Sequence, residues 1–567
     1  MSNDFQIKTP HAAVIVWNYS DRVGVEGVKD LNSVEETIIS TLSCVSIQTA
    51  KAKGNPAGSF QLVLAPFKNW VSTITAGSWC CILMSNKKIN PADLKKANPD
   101  LVKMIGKIET VRVETQQDKD QRQTRYIVSG TDWGHIFNNT LYVDNLLASA
   151  NDPATQGNAA AVALRNALFG NGNAPSSFAV KDNLRSLVNI FGSNLKGFSE
   201  KGDDINRLAK ATYDFIMPKE MVDFFGFVDA KKAKNKALGI NNILKIQTGK
   251  LIGPDKYDET PESFGYIDPF SLQGTNSFWQ VLMDNSNPAI NEMYNEIEWT
   301  KNGPSLTLFN RIKPFAYRQS TDVPAQVKNL RSLFQYVKTH KIDSVQVTSV
   351  NAGTNWRDKY NFIEIKPNFQ DFNIIANWTK QKTQISDEKA FNREGFRPLI
   401  IATKQFPVRL GQGTTVFNPD MLRAWALLMK EWYFDTHRLL NGTITMTGST
   451  EYIGVGNNIM FDAGLINPTP NINKAANKNK KNPQVLAHVE NISHSFTVDQ
   501  EGAREYVTTI QFVRGILITD NGSLSGSGKL DTFSNDLIPA EDRNKTNTVS
   551  TTNLDSDDPD PQKVRGT

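Results

Sequence analysis

The stretch HVENISHSFTVDQEGAREYVTTIQFVRG, residues 488–515, decides the fold because its apolar and polar residues alternate with a period of two. Side chains two positions apart on a strand share one face. The face predicted in this way contains His488, Glu490, Ile492, His494, Phe496 and Val498. Turn-forming residues follow at 499–502, and the alternation resumes from Tyr506 to Val513. We therefore predict a long β-hairpin.

Two histidines and a glutamate on one face raise the question of a metal site. Zinc peptidases place two histidines one helical turn apart with a glutamate between them, whereas His488 and His494 are six positions apart in a strand pattern. A metal hypothesis would need a strand-borne site with a third ligand that the sequence does not identify. The alternation instead favours a two-sided strand in a large β assembly. We predict no metal, no cofactor and no catalytic residue.

The bulk composition is that of a soluble globular protein. The 567 residues are 39% hydrophobic and 21% charged, a length that corresponds to three or four domains of about 150 residues each. A net charge of +5 is too small to indicate a nucleic-acid-binding protein. The cysteines Cys44, Cys80 and Cys81 suggest buried free thiols in a protein made in a reducing cytoplasm. With neither a leader peptide nor an apolar run of about 18 residues, no stable membrane insertion is expected.

The domain organisation follows from changes in the pattern along the chain. Six runs rich in Val, Ile, Phe, Trp and Thr predict a first β domain at 1–138. Helical spacing predicts a helical insertion at 139–265, and a mixed α/β connecting domain follows at 266–398. A second β domain is predicted at 399–518. Residues 519–567 are polar and poor in core-forming residues, so we expect a flexible tail.

One helix is predicted within the second β domain, at 419–440. Asn418 is a suitable N-cap, Pro419 suits the first helical position, and Gly442 is the predicted stop. Its apolar stripe contains Leu422, Trp425, Met429, Trp432, Thr436 and Leu439. This stripe predicts a helix that packs on the core.

A run of lysines lies between two predicted strands of the second β domain, in PTPNINKAANKNKKNPQ. The run contains Lys474, Lys478, Lys480 and Lys481. One interpretation is a solvated loop, and the other is a loop that docks on an acidic partner. These four lysines are the candidate partner-docking residues of the chain.

Several phrases, taken in order, resemble the baseplate hub proteins of contractile-tailed bacteriophages, which are relatives of the tail-tip hubs of long non-contractile tails. VSGTDWGHIF at 128–137 resembles the phrase that closes the first barrel of the family. NEMYNEIEWTKNGPSLTLFNRIKPF at 291–315 resembles a helix followed by a strand ending in Arg-x-x-Pro-Phe. The hairpin at 488–515 resembles the family's final strand pair, which ends in Arg-Gly. The resemblance extends from about residue 10 to residue 518.

This resemblance implies a mainly β fold with helical insertions (α+β), with two tail-tube-like β-barrel domains and accessory domains in each chain. It implies a structural, non-enzymatic homotrimer that joins a six-fold tail tube to a three-fold central spike. The implied partners are the tube ring, the spike, baseplate wedge proteins and tape-measure proteins, with DNA at most in transit through the lumen. The implied location is the tail baseplate of the virion, after synthesis in the host cytoplasm. The resemblance also implies that the strand at 488–498 lines one barrel, with His488, Glu490 and His494 facing a neighbouring subunit, a helix or the lumen.

Two alternative functions remain open from the sequence. A tail-associated peptidoglycan hydrolase could lie in the predicted insertion, which contains Asp203, Asp204, Asp214 and Glu220, although their spacing is also that of surface acids on helices. The hub part of a contractile secretion-system spike is the other alternative. Against it, the chain continues into a polar tail where the repeats of a needle would begin.

Overall fold

The structure of the chain is a computed structural model. The described residues are 9–19, 34–89, 100–118, 121–139, 141–143, 244–248, 262–263, 275–277, 279–280, 283, 291–300, 303–313, 337–367, 384–403, 408–411, 414–417, 426–427, 429–430, 432–434, 436–466, 484–499 and 501–518. The predicted lysine run, the acids at 203–220 and the tail at 519–567 lie outside them.

Twenty-four strands are described, and they confirm the predicted mainly β fold class. In the N-terminal part they are β1 His11–Tyr19, β2 Val34–Ile39, β3 Cys44–Ala52, β4 Ser59–Leu64, β5 Trp79–Ser85, β6 Val102–Asp118, β7 Gln121–Asp132 and β8 Leu141–Val143. The middle part has β9 Leu244–Thr248, β10 Glu262–Ser263, β11 Thr275–Ser277, β12 Asn291–Thr300, β13 Gly303–Ile312, β14 Thr339–Lys341, β15 Val347–Gly353 and β16 Phe362–Pro367. The remaining strands are β17 Ile385–Ser386, β18 Pro398–Thr403, β19 Val408–Gly411, β20 Thr414–Phe417, β21 Leu440–Thr447, β22 Asn458–Asp462, β23 Gln484–Val498 and β24 Arg504–Ile518.

Helices are few and short in the described part of the chain. They include α1 Trp70–Thr73, α2 His135–Asn139 and α3 Glu388–Glu394. Helical residues at 426–433 lie inside the predicted core helix, and Met429 and Trp432 of its stripe are buried. None of the described helices is long and apolar enough to cross a membrane.

Gly442 does not stop the predicted core helix, because β21 already begins at Leu440. A Cβ atom on Gly442 would lie 2.1 Å from the carbonyl oxygen of Asn351 on β15. The glycine is therefore explained by the close approach of two strands.

A single thirteen-stranded sheet joins the two predicted β domains. Its strand order is β15-β21-β24-β23-β3-β4-β7-β6-β5-β1-β2, and β22 branches from β23 and pairs with β14. The junction is the antiparallel pair of β23 and β3, whose register includes Asn491 opposite Ala52 and Thr497 opposite Ser46. The described strands form one open sheet and not the two closed barrels that the resemblance implies, and the two β regions are joined through this one strand pair. β14 and β15, which lie in the predicted connecting domain, also belong to this sheet.

The predicted hairpin at 488–515 is confirmed as β23 and β24, but its faces are not continuous. The pairing register shifts between Leu486 and His488 and again between Val489 and Asn491. A bulge inserts one unpaired residue, so the side chains after it continue on the opposite face. As a result Ile492 packs with Val489 in one core. The prediction of one continuous face from His488 to Val498 is therefore wrong, because the face changes at Glu490.

Two apolar cores meet on the β23–β24 hairpin. The first contains residues of β1 and β3–β7 and reaches Phe496 and Tyr506 on the hairpin. The second contains residues of β21, β22 and β24 together with Val485, Val489 and Ile492. The hairpin thus contributes to both cores, and separating them would expose apolar surface on each side.

The predicted free thiols are confirmed as buried residues of the first β region. Cys44, Cys80 and Cys81 form no disulfide. Burial raises the pKa of Cys44 and of Cys81 to about 12, and burial also raises the pKa of Cys80. All three therefore remain protonated thiols near neutral pH.

The described strands also form smaller sheets in addition to the thirteen-stranded one. β12 pairs with β13 in a hairpin, and β9 adds to β13 in parallel. Another sheet has the order β17-β16-β18. β9 lies in the segment for which helical spacing predicts an insertion, and β18 crosses the boundary predicted at 398.

The helix implied by resemblance at the start of 291–315 is wrong, because β12 spans Asn291–Thr300. Both faces of this strand are buried: Met293 and Ile297 are apolar, while Glu292 and Glu296 are held by lysines. Tyr294 is buried on the glutamate face and Asn295 on the apolar face, and these two residues interrupt the alternation of apolar and polar residues.

Phe60 packs on the backbone of two glycines in neighbouring strands of the first β region. A Cβ atom on Gly130 would lie 2.6 Å from the Phe60 ring and 2.1 Å from the carbonyl oxygen of Lys107. A Cβ atom on Gly106 would lie 3.0 Å from the same ring. Glycine at these positions allows the ring to lie flat against β6 and β7.

We predict that Gly130→Ala lowers the free energy of unfolding by about 1–3 kcal/mol, because the new methyl group must displace Phe60 or the Lys107 carbonyl. Thermal unfolding followed by circular dichroism measures this loss. Gly54→Ala is the matched control, since a Cβ atom there has no neighbour within 4 Å. Equal melting temperatures for the two variants would contradict the packing account.

Candidate functional site: a buried ionic junction

Two buried lysines lie where the first β region meets β12 and β23. Lys51 is near the end of β3 and Lys53 directly follows that strand, so their side chains extend to the same side. Each is only 9% exposed. A buried ammonium group requires charged partners, and both lysines have them in segments distant in sequence.

Lys51 bridges carboxylates from β7 and β12. Its Nζ lies 2.7 Å from Oδ2 of Asp132 and 3.7 Å from Oε1 of Glu296. It also lies 5.9 Å from the ring centre of Trp133. The other carboxylate oxygen of Asp132 accepts a hydrogen bond from the backbone N–H of Gly134. Lys51 therefore joins the ends of β3 and β7 to β12.

Glu296 connects the lysine to the loop before β22. One of its oxygens accepts a hydrogen bond from the backbone N–H of Val455 at 2.7 Å, and the other accepts from the Tyr452 hydroxyl. A Cβ atom on Gly454 would lie 2.6 Å from Cγ of Glu296. Glycine at 454 therefore lets the loop backbone approach the Glu296 side chain closely.

Lys53 forms the second half of the junction. Its Nζ lies 3.0 Å from Oε2 of Glu292 and also contacts Glu490 at the bulge of β23. Its backbone N–H donates to the carbonyl oxygen of Glu490 at 2.8 Å. Nε2 of His488 lies 3.6 Å from Oε2 of Glu292. The β23 bulge thus turns Glu490 toward β3.

The protonation states follow from burial and from these partners. Burial opposes a charge on Lys51 and Lys53, but the facing carboxylates outweigh it and raise the pKa of both lysines. Burial, reinforced by the charge of Lys53, lowers the pKa of His488, so its ring is neutral near pH 7. Burial next to Glu296 raises the pKa of Tyr452 well above its usual value, which keeps it a hydroxyl donor.

The sequence-predicted trio of His488, Glu490 and His494 is separated by these contacts. Nδ1 of His488 lies 2.9 Å from Oδ1 of Asn458, whereas Nδ1 of His494 lies 3.0 Å from the hydroxyl of Thr508. The expectation that they face a neighbouring subunit, a helix or a lumen is wrong for the histidines, since both are buried among strands and loops of their own chain. Within the described ranges, no group of three or more His, Cys, Asp and Glu is placed to hold a metal ion.

A second polar contact joins the two β regions at the turn between β21 and β22. Nζ of Lys103 donates to the carbonyl oxygens of Asp100, Ser449 and Glu451 at 2.9, 3.3 and 3.4 Å. Nδ2 of Asn86 donates to the carbonyl oxygen of Thr447 at 2.9 Å. Burial lowers the pKa of Lys103 to about 7, against the opposing effect of nearby carboxylates.

The sequence analysis singles out His488 and Glu490 but not Lys51, Lys53 or the carboxylates of β7 and β12. The two lysines are two positions apart at the end of β3, and Glu292 and Glu296 are four apart in β12, so each pair shares a face. Charged residues on one face of a strand usually indicate solvent exposure, which concealed the ion pairs.

Chemically, the junction is a set of ion pairs and hydrogen bonds that hold five segments together. These segments are β3, the end of β7, β12, the loop before β22, and β23. The two lysines contact the carboxylates of Asp132, Glu292, Glu296 and Glu490, and backbone N–H groups or Tyr452 donate to further carboxylate oxygens. Such an arrangement fixes the relative position of the two β regions.

Comparison with known proteins finds similarity to phage tail proteins. The chain is similar to a tail protein from Neisseria meningitidis MC58, with 12% identity over 88% of this chain and 96% of that one, at a TM-score of 0.39. It is similar to the 43 kDa tail protein of prophage MuSo2 from Shewanella oneidensis, with 11% identity over 88% and 98% of the two chains, at 0.40. An Escherichia coli component of the type VI secretion system is 7% identical over 84% and 74%, at 0.31. No protein-family model and no curated protein sequence matches the chain.

We predict that Glu296→Ala lowers the free energy of unfolding by about 3–5 kcal/mol, because it leaves Lys51 and the Val455 N–H buried without this partner. Chemical denaturation measures the loss. Glu114→Ala is the matched control, because Glu114 pairs with Arg112 and Arg125 on the surface and its loss changes stability by less than about 1 kcal/mol. A Glu296→Ala variant as stable as the control would contradict the assigned role.

We predict that Lys103 makes the protein more stable as the pH rises from 7 toward 10. The folded pKa of about 7 lies below the unfolded value of about 10.4, so the unfolded chain binds more protons in this window. The slope from this group is at most about 1.4 kcal/mol per pH unit. Lys103→Met should remove it, as measured by denaturation at several pH values. Parallel stability curves for the two proteins would show that the Lys103 pKa is not lowered.

Proposed function

We propose that the protein is a structural baseplate hub of a phage tail, a homotrimeric adaptor between the six-fold tail tube and the three-fold central spike. The ordered sequence phrases that resemble this family support the proposal. The observation that carries it is the single sheet in which two β regions of one chain are fused through β23 and β3. A chain with two such regions offers six similar positions when three copies assemble.

We propose that copies of the chain assemble through free strand edges of this sheet. β6 pairs with β5 only from Val102 to Lys107, so its second half, 109–118, has one edge with no partner among the described strands. β15 is the first strand of the order and pairs only with β21 among the described strands. A free strand edge is a template for pairing with another chain. We infer that the second half of β6 in one copy pairs with β15 in the next, and that three such contacts close a ring.

The contacts of the junction support a structural rather than enzymatic role. Asp132, Glu292 and Glu296 are the buried carboxylates at the centre of the described fold, and all three are engaged by lysines. A general acid or base needs access to a substrate, which these positions do not offer. We therefore propose that the chain is not an enzyme.

The further partners are also proposals. They are the tube ring, the spike, the wedge and tape-measure proteins, with DNA passing through the lumen and the virion baseplate as the location. The residues Lys474, Lys478, Lys480 and Lys481 are proposed to dock on an acidic neighbour in that assembly, because four positive charges close together in sequence attract an acidic surface.

We predict that the purified chain, alone or with its spike, forms a species that contains three copies of the 63.2 kDa chain, as measured by light scattering. Val113 lies in the free half of β6 and is 51% exposed. Val113→Lys should weaken trimer formation, because a lysine on an edge strand opposes strand pairing.

The matched control is Val45→Lys, which changes a 39% exposed valine in β3, a strand that pairs with both β4 and β23. It should leave the trimer intact, and both variants should keep the melting temperature. A monomer at all concentrations with spike present would refute the hub proposal. A trimer unaffected by Val113→Lys would refute only the pairing through β6.

A further inference from the structure

Lys51 on β3 contacts Asp132 at the end of β7 across the strand that separates them. β4 lies between β3 and β7 in the sheet, and Gly58 directly precedes it. The carbonyl oxygen of Gly58 accepts a hydrogen bond from the Asp132 N–H at 3.0 Å, and a Cβ atom on this glycine would lie 3.3 Å from Cβ of Lys51. Because Gly58 has no side chain, Nζ of Lys51 can pass over it to within 2.7 Å of Oδ2 of Asp132.

This contact places a nitrogen nucleophile beside a carboxyl carbon. Oδ2 is bonded directly to Cγ of Asp132, so Nζ of Lys51 lies within about 4 Å of that carbon. The other oxygen, Oδ1, accepts a hydrogen bond from the backbone N–H of Gly134 at 2.9 Å. A backbone donor at this position stabilises negative charge that develops on Oδ1 when Cγ is attacked. The fold therefore holds the amine and the acyl group in a position to react.

Glu296 adds a proton acceptor at the same nitrogen. Its Oε1 lies 3.7 Å from Nζ of Lys51. The Val455 N–H and the Tyr452 hydroxyl donate to this carboxylate and fix its position. Side-chain exposure is 8% for Lys51, 2% for Asp132 and 4% for Glu296. Little water therefore reaches the three groups, which limits hydrolysis of any bond that forms between them.

Burial favours a reaction that removes charge from this cluster. The facing carboxylates raise the pKa of Lys51, so the ion pair is the resting form. Each charge of the pair is nevertheless costly in a buried position. Transfer of one proton from Nζ of Lys51 to Oδ2 of Asp132 gives a neutral amine and a neutral carboxylic acid. Condensation of these two groups then removes both charges permanently.

We propose that Lys51 and Asp132 condense to an isopeptide cross-link in the folded chain. After the proton transfer, the amine lone pair attacks Cγ, an N–C bond forms, and one electron pair of the C=O bond moves onto Oδ1. Glu296 accepts a proton from the nitrogen and returns it to the Oδ2 hydroxyl, which leaves as water while the C=O bond forms again. One ammonium and one carboxylate thus become one amide and one water molecule, and no other reactant is needed.

The cross-link closes a covalent loop from residue 51 to residue 132 within the first β region. It joins β3 to β7 beside the ionic junction, so these strands cannot separate even when the non-covalent contacts are broken. A cross-link also restricts the unfolded chain, which favours the folded state. This modification is independent of the proposed hub function, since it requires only the fold of one chain.

Lys53 is an internal reference within the same junction. Its Nζ also contacts two carboxylates, those of Glu292 and Glu490. The side chain of Glu490 is 27% exposed, so water solvates this group and stabilises the charged form of the pair. We therefore expect Lys53 to keep its ammonium group and to form no amide.

Mass spectrometry of the purified full-length chain tests the proposal. Trypsin should release residues 30–53 joined to residues 126–165, with a mass one water molecule below the sum of the two peptides. Fragmentation should place the branch at Lys51 and Asp132. Lys51→Arg should abolish the joined peptide. A folded, unaltered chain that releases the two peptides only separately would overturn the proposal, and this measurement decides it whether or not the variants fold.

Glu296→Gln tests the proton acceptor, because the amide has a similar shape but does not take up the proton. The cross-linked fraction should fall about tenfold or more. The matched control is Glu292→Gln, which makes the same change beside Lys53 and should keep the cross-link. Circular dichroism shows whether each variant is folded. A folded Glu296→Gln chain that is cross-linked as fully as the control would refute the role of Glu296 in the reaction.

Discussion

The burial of Lys51 and Lys53 is the constraint on which the described architecture depends. A buried ammonium group is tolerated only beside carboxylates, and the carboxylates here come from β7, β12 and β23. Because Lys51 and Lys53 contact these carboxylates, the ends of β3 and β7 lie against β12, and Glu490 is held at the bulge of β23. The pairing of β23 with β3, and with it the single sheet, is held in place by the same contacts.

This arrangement explains why the two β regions behave as parts of one framework. Apolar burial holds each core together, but both cores share the β23–β24 hairpin. Lys103 and Asn86 add a second set of contacts at the turn after β21. The adaptor role that we propose requires a fixed relation between the two β regions, and a shared hairpin with polar contacts on both sides provides one.

Much of the fold could be predicted from the sequence, because strands with one apolar face show alternation, as in β23 from Ile492 to Phe496 and in β24. The bulge at Glu490 could not, since a one-residue register shift leaves no mark in a local pattern. The alternation does not mark β12 as a strand, because Tyr294 and Asn295 interrupt it. The junction could not be predicted because most of its ion pairs join positions more than two hundred residues apart, such as Lys53 and Glu292. Only the fold brings these residues together.

A double-mutant cycle on Lys53 and Glu292 tests most directly whether the ionic junction couples the two β regions. Lys53→Met, Glu292→Gln and the double variant would be compared with the unaltered chain by chemical denaturation. The account predicts a coupling energy above about 1.5 kcal/mol, because each single variant leaves a buried charge without this partner. A coupling energy below about 0.5 kcal/mol, with additive losses, would show that the junction does not hold the regions together.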